Sequence, residues 1–185
     1  MTGTGHKRVL VPLAEGCEEL EAVTIIDLLR RARIEVVAAG LQPGTVTASR
    51  GVRIEPDMSL DEALELEFDM VALPGGLPGA DHLAADARLT ALLRHMNESG
   101  RFVGAVCAAP KVLARCGLLH GRKATGYPGV LQAEGHPDIS GEAVLRDGTV
   151  ITSRAAGTAM DFALELIEAL AGRAVRREVE DGLAR

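Results

Sequence analysis

The chain has 185 residues, with 47% hydrophobic and 25% charged positions and a formal net charge of −6. That is enough apolar material for one well-packed domain spanning residues 1–185. Aromatic residues make up only 2%, too few for the stacking platforms that single-stranded nucleic acids require, and the acidic balance, with no basic stripe, argues against a phosphate backbone as partner.

Residues 1–6 are polar and Gly-rich, without an apolar signal core, and are expected to form a flexible tail. Arg8 to Leu13 (RVLVPL) reads as a buried strand. Glu18 to Arg31 reads as a helix whose apolar stripe is Leu20, Val23, Ile26 and Leu29. Ile34 to Leu41 is a second strand. Thr45 to Glu55 reads as a small antiparallel excursion turning at Arg50-Gly51. Ser59 and Glu62 form a capping box at the start of a short helix. Met70 to Leu73 is a third strand, running into Pro74-Gly75-Gly76. A helix from Ala87 to Ser99 is stopped by Gly100. The apolar run Phe102 to Val106 is a fourth strand, ending in Cys107 with a helix from Pro110 to Arg115 close behind. Val144 to Arg146 and Val150 to Thr152 flank Asp147-Gly148, a hairpin signal. Helices over Ala159 to Ala171 and Arg173 to Leu183 complete the chain.

Strands alternating with helices imply an α/β sandwich: a mostly parallel sheet covered by helices on both faces, with one small antiparallel excursion. In such sheets sites form beyond the carboxyl ends of the strands. Three of those ends carry chemistry. After the first strand, Glu18 and Glu19 read as ordinary complements of a helix dipole. Glu21, a turn further in and among apolar neighbours, is placed to point back over the strand ends. After the third strand, Gly75 and Gly76 free backbone N–H groups for close approach. The spacing is that of no nucleotide loop, and a plain turn is the simpler reading of the pair alone. After the fourth, Cys107 sits between Ala105, Ala108 and Ala109, small enough for a strained strand-to-helix turn of the nucleophile-elbow kind. A helix N-terminus would favour its thiolate. The thiol alone reads equally well as buried and inert.

Cys17, Cys107 and Cys116 are three in number, with no metal-ligand spacing between any two. They are expected to be free thiols in a reducing compartment, with no metal and no cofactor. No apolar run approaches the length of a membrane span. The sequence therefore reads as that of a cytoplasmic protein with no membrane and no nucleic-acid partner. His82 is the histidine nearest the diglycine loop and reads as an exposed loop residue. His6, His95, His120 and His136 have no motif that ties them to Cys107.

The stretches EGCEELEAV (Glu15–Val23), SRGV (Ser49–Val52) followed by Pro56-Asp57, LPGG (Leu73–Gly76), AVCAAP (Ala105–Pro110) and TSRAAGT (Thr152–Thr158) occur in that order. Together they resemble the ThiJ/PfpI superfamily, in the branch of the parkinsonism-associated deglycase and chaperone and its bacterial relatives. The resemblance implies a flavodoxin-like fold and a homodimer. By position it makes Cys107 the reactive cysteine and Glu21 the glutamate that hydrogen-bonds the sulfur. It makes Gly76 and Ala108 the backbone donors near that sulfur, with Gly75 beside them, and puts Arg50 and Arg31 near the site and the dimer interface. Tyr127, in TGYP, departs from the family pattern: the best-known member has a histidine there. A phenol titrates near ~10 and an imidazole near ~6.5, so the proton transfer a histidine would perform does not carry over to Tyr127. Peptidase-like members place a histidine directly after the cysteine, where this chain has Ala108.

The implied activity is a glutathione-independent glyoxalase or deglycase acting on small aldehydes or glycated groups. Cys107 would be the nucleophile and Glu21 the proton carrier. The alternative is a non-catalytic redox sensor or holdase chaperone built on the same residues. A cysteine peptidase or amidase, or a flavin or nucleotide module, fits the residues less well.

Overall fold

Strands with β-branched and aliphatic residues on both faces can be stable only if both faces are covered. The computed structural model describes residues 7–185; the expected tail over residues 1–6, with His6, lies outside the described residues. In chain order the elements are β1 (Arg8–Leu13), α1 (Glu19–Arg31), β2 (Glu35–Gly40), β3 (Val46–Thr47), β4 (Arg53–Ile54), β5 (Met58–Ser59), α2 (Leu60–Ala63), β6 (Met70–Leu73), α3 (Gly79–Ala85), α4 (Ala87–Glu98), β7 (Phe102–Val106), α5 (Pro110–Arg115), α6 (Val130–Ala133), β8 (Val144–Asp147), β9 (Val150–Ser153), α7 (Ala159–Ala171) and α8 (Arg173–Gly182).

A seven-stranded sheet has the order β5-β2-β1-β6-β7-β9-β8. All its pairings are parallel except β8 with β9, the hairpin. β3 and β4 pair antiparallel as a separate ribbon. Alternate strand residues feed two cores. Leu10, Val71, Leu73, Val103 and Ala105 pack under α2 to α5. Val9, Val11, Met70, Ala72 and Val106 pack under α1, α7 and α8. Gly104 in β7 lets α7 lie close: a Cβ there would come within 3.1 Å of the Phe162 ring and 3.0 Å of Leu166.

The capping box at Ser59 forms with both of its bonds. The short elements β5, α2 and α6 span too few residues to show a periodicity. Only α2 announces itself, through its cap. The helix α3 is unmarked in the sequence because GGLPGADHL reads as turn chemistry, yet the chain enters a helix at Gly79.

The face of α1 is a correction. The expected stripe was Leu20, Val23, Ile26 and Leu29. Of that stripe Leu29 is buried, together with Glu19, Glu21, Ala22, Ile25 and Leu28, while Leu20 and Val23 are 51% and 50% exposed. The helix carries apolar residues on two faces, and the packed one is the face that also turns Glu21 inward. Burying a carboxyl group is tolerated because it meets partners at the strand ends.

Phe162 is fully buried and packs on the glycine strand. Phe162→Ala should therefore destabilise the fold by about 3–5 kcal/mol in urea unfolding. A loss below about 1 kcal/mol would contradict this account of α7 packing.

Candidate functional site

β1, β6 and β7 are neighbours in the sheet, and their carboxyl ends deliver Glu21, Gly75-Gly76 and Cys107 to one place. The chain must reverse from β7 into α5 within a few residues, and Cys107 does so at φ 62°. A non-glycine residue held there stores roughly 1–3 kcal/mol of strain, sustained only if its surroundings over-determine it. They do. The Cys107 N–H donates to the Ser153 carbonyl at 3.0 Å, extending the β7–β9 ladder, and the Cys107 carbonyl accepts from the Tyr127 N–H at 2.8 Å. Ala108 and Ala109 are buried beside it.

Gly75 is the close-approach point. Its N–H donates to Glu21 Oε2 at 2.7 Å. A Cβ at Gly75 would lie 2.8 Å from Cys107 Cβ, 2.8 Å from Glu21 Oε2 and 2.9 Å from the Ala108 nitrogen. Gly76, at φ 90°, presses against the backbone of residues 16–18. The N–H groups of Ala108 and Gly76 face the Cys107 sulfur.

The carboxyl and the thiol titrate as one unit. Burial pushes Glu21 up to about 7, against the Gly75 N–H and the Cys107 thiol, which favour its anion. Burial, then the Glu21 charge and its hydrogen bond, push Cys107 up to about 12, against the Ala108 and Gly76 donors. The sequence had suggested a thiolate favoured by a helix N-terminus. Instead α5 begins at Pro110, three residues beyond Cys107, and has only six residues. Desolvation and the neighbouring carboxylate outweigh its donors. Between those two values the pair holds one proton, since two anions in one dry site repel. Glu21 Oε1 is buried without a hydrogen-bond partner of good geometry. A proton on that oxygen would give it a use, as donor to the sulfur.

Cys107 and Glu21 open onto a cleft of about 430 Å³ lined also by Glu18, Ser49, Arg50, Gly76, Leu77, Ala108, Tyr127, Val130 and residues 155–157. The ribbon of β3 and β4 brings Ser49 and Arg50 to it. Glu19 fixes that turn by accepting from the Arg50 N–H at 2.9 Å, while the Ser49 hydroxyl donates to Glu18 at 2.7 Å. Burial opposes the Glu19 anion, but its own N–H, the Ser49 hydroxyl and the Val52 and Arg50 N–H groups hold its carboxyl below the usual range.

Of the residues singled out by sequence, Cys107, Glu21, Gly75, Gly76, Ala108, Arg50 and Tyr127 converge. Arg31 does not: it lies at the far end of α1 and pairs with Asp27 at 2.7 Å. His82 faces a separate cleft at the ends of β1 and β2, with Nδ1 3.0 Å from the Glu15 carbonyl oxygen. Cys17 is fully buried, and burial pushes its thiol up to about 11. Glu18, Ser49, Leu77, Val130 and the segment 155–157 were missed as cleft residues. The signal for the last was available, because 155–157 follows the carboxyl end of β9. No group of His, Cys, Asp and Glu among the described residues could hold a metal ion, and no helix among them is long and apolar enough to cross a membrane.

Residues 7–169 match the DJ-1/PfpI family. Protein dj-1beta of Drosophila melanogaster is 42% identical over 180 residues, covering 96% of this chain and 96% of that protein. Glutathione-independent glyoxalase DJR-1.2 of Caenorhabditis elegans is 35% identical over 166 residues, covering 89% and 88%. The solved structure of oxidized DJ-1 from Toxoplasma gondii superposes with a TM-score of 0.92 at 37% identity, covering 96% of this chain and 98% of that one.

Gly75→Ala should drive Glu21 and Cys107 apart. The expected result is a loss of about 1–3 kcal/mol of stability from overpacking, together with an altered pH profile of Cys107 alkylation by iodoacetamide. An unchanged profile and an unchanged Tm would show that the close approach at Gly75 is not the constraint.

Proposed function

Because the chain belongs to the DJ-1/PfpI family, we propose that it is a cysteine-dependent enzyme of the glutathione-independent glyoxalase and deglycase type, acting on methylglyoxal-like aldehydes or their adducts. The observation that carries this reading is the one-proton pair of Glu21 and Cys107, set among backbone donors at the floor of an open cleft. The nematode relative named as a glutathione-independent glyoxalase supports it.

Burial and the carboxylate leave the shared proton on Cys107, so the reaction opens with its transfer to Glu21, which puts the charge on sulfur. The sulfur adds to the aldehyde carbon, the C=O π pair moves to oxygen, and that oxygen takes the Glu21 proton. The product is a hemithioacetal beside a Glu21 carboxylate. The carboxylate removes the hydrogen on that carbon as a proton, giving an enediolate. Glu21 returns the proton to the neighbouring carbon, while the hydroxyl proton passes to that carbon's oxygen. One carbon is oxidised and the next reduced, so the resulting thioester needs no outside oxidant. Water cleaves it to a 2-hydroxy acid and restores the pair. The N–H groups of Gly76 and Ala108 are the donors available to developing negative charge. Tyr127 is a cleft-lining residue in this scheme.

Below about pH 7 both groups are protonated, and above it the pair has lost one proton. Turnover of methylglyoxal should therefore rise as pH passes upward through about 7. Glu21→Gln should cost about 10²- to 10⁴-fold in kcat/KM and abolish that limb, and Cys107→Ser should reduce turnover to background. Product assays of the three proteins between pH 5 and 9 on the order of one unit apart suffice. Turnover that survives Cys107→Ser would end the cysteine-dependent reading; absence of any turnover would leave the sensor or chaperone reading in its place.

The assembly we propose is a homodimer through the outward face of α1. Leu20 and Val23 lie one turn apart on it, and Val52, also 50% exposed, is on the turn that Glu19 holds. An apolar strip of this kind is what a self-complementary interface covers. Sedimentation should give a dimer for the native chain and a monomer for Leu20→Asp/Val23→Asp. A native monomer at micromolar concentration would refute it.

A further inference from the structure

The cleft above Cys107 has two unlike walls. One is polar and carries both signs of charge, with Glu18, Ser49 and Arg50. The other is apolar, with Leu77, Tyr127 and Val130, continued by Ala155 and Ala156. Leu77 and Tyr127 are 58% and 53% exposed. Single exposed apolar side chains are ordinary on a protein surface. These are not scattered: they share one concave site with the proposed nucleophile, and both are anchored to it. Leu77 directly follows Gly76, whose N–H faces the sulfur. The Tyr127 N–H holds the Cys107 carbonyl at 2.8 Å. Their positions relative to the sulfur are therefore set by the same backbone that sets the elbow.

Methylglyoxal offers this wall nothing but a methyl group. At about 430 Å³ the cleft has room for a far larger substituent. The polar wall carries one acid, Glu18, and one base, Arg50, so it gives no net reward to an anionic group. Resting on the glyoxalase reading above, we infer that the preferred substrates are neutral 2-oxoaldehydes whose carbonyl pair bears an apolar substituent of n-pentyl to phenyl size, laid against Leu77, Tyr127 and Val130. Apolar contact is made in the ground state as well as at the transition state, so the preference resides mainly in KM.

The test is kcat/KM for methyl-, n-propyl-, n-pentyl- and phenylglyoxal with the full-length protein. The alkyl series separates apolar contact from the electronic effect of an aryl ring. For the native protein kcat/KM should rise at least about tenfold from methyl to n-pentyl and phenyl, the lower end of what added methylene groups provide in an apolar site. Leu77→Ser and Tyr127→Ser should each cut the pentyl-to-methyl ratio by roughly threefold or more, acting through KM. Both side chains are exposed, so a Tm near that of the native protein is expected for each variant. A series that is flat or falls with size overturns the inference alone, because methylglyoxal turnover would still stand. Variants that lower every substrate in the same proportion also overturn it. A native protein inert toward the whole series removes the glyoxalase reading, and this inference with it.

Discussion

The close approach of Gly75 to Cys107 and Glu21 is the constraint on which the site depends. Three chain segments, following β1, β6 and β7, meet where no Cβ fits. The glycine N–H gives the buried carboxyl a partner at 2.7 Å. Its lack of a side chain leaves room for the thiol and for the Ala108 nitrogen. Such a junction is possible only because neighbouring parallel strands end side by side, so that their following turns share one small volume.

That junction also explains the orientation of α1. A carboxyl group on the sheet side of a helix is costly unless it is hydrogen-bonded. Once Glu21 is turned toward Gly75, the residues a turn or more further on, Ile25, Leu28 and Leu29, fall on the core. Leu20 and Val23 are left outside. The same rotation sets Glu19 against the turn at Ser49 and Arg50, which brings the polar wall to the cleft. One helix thus carries the buried carboxyl, fixes a wall of the cleft and leaves an apolar strip exposed.

The thiol's surroundings oppose as well as support its charge. Burial and the carboxyl raise its pKa, while the Ala108 and Gly76 donors lower it. The balance leaves a pair that shares a single proton above about pH 7. The strained turn at Cys107 is held from both sides, by β9 through Ser153 and by the loop that carries Tyr127. The backbone that carries the sulfur is therefore hydrogen-bonded through both its N–H and its carbonyl.

Much of this was legible in the chain itself. Apolar runs and helical periodicities located the main strands and the long helices, because each pattern is imposed by a local repeat. The Ser59–Glu62 cap and the Asp147-Gly148 hairpin were legible for the same reason. The strand ends pointed to Cys107, Glu21 and the diglycine, since a parallel sheet gathers such ends on one edge. What tertiary structure alone decided lies where local pattern is ambiguous or absent. α1 has two apolar faces, and only packing chose between them. Arg31 ends the helix that carries Glu21 near its start, and helix length carried it away from the cleft. The sign of the Cys107 shift depended on how deeply the sulfur is buried beside a carboxyl, a distance and an environment that no local stretch of sequence encodes. The apolar wall joins Leu77 to Tyr127 and Val130 from segments far apart in the chain, and only the folded sheet brings them together.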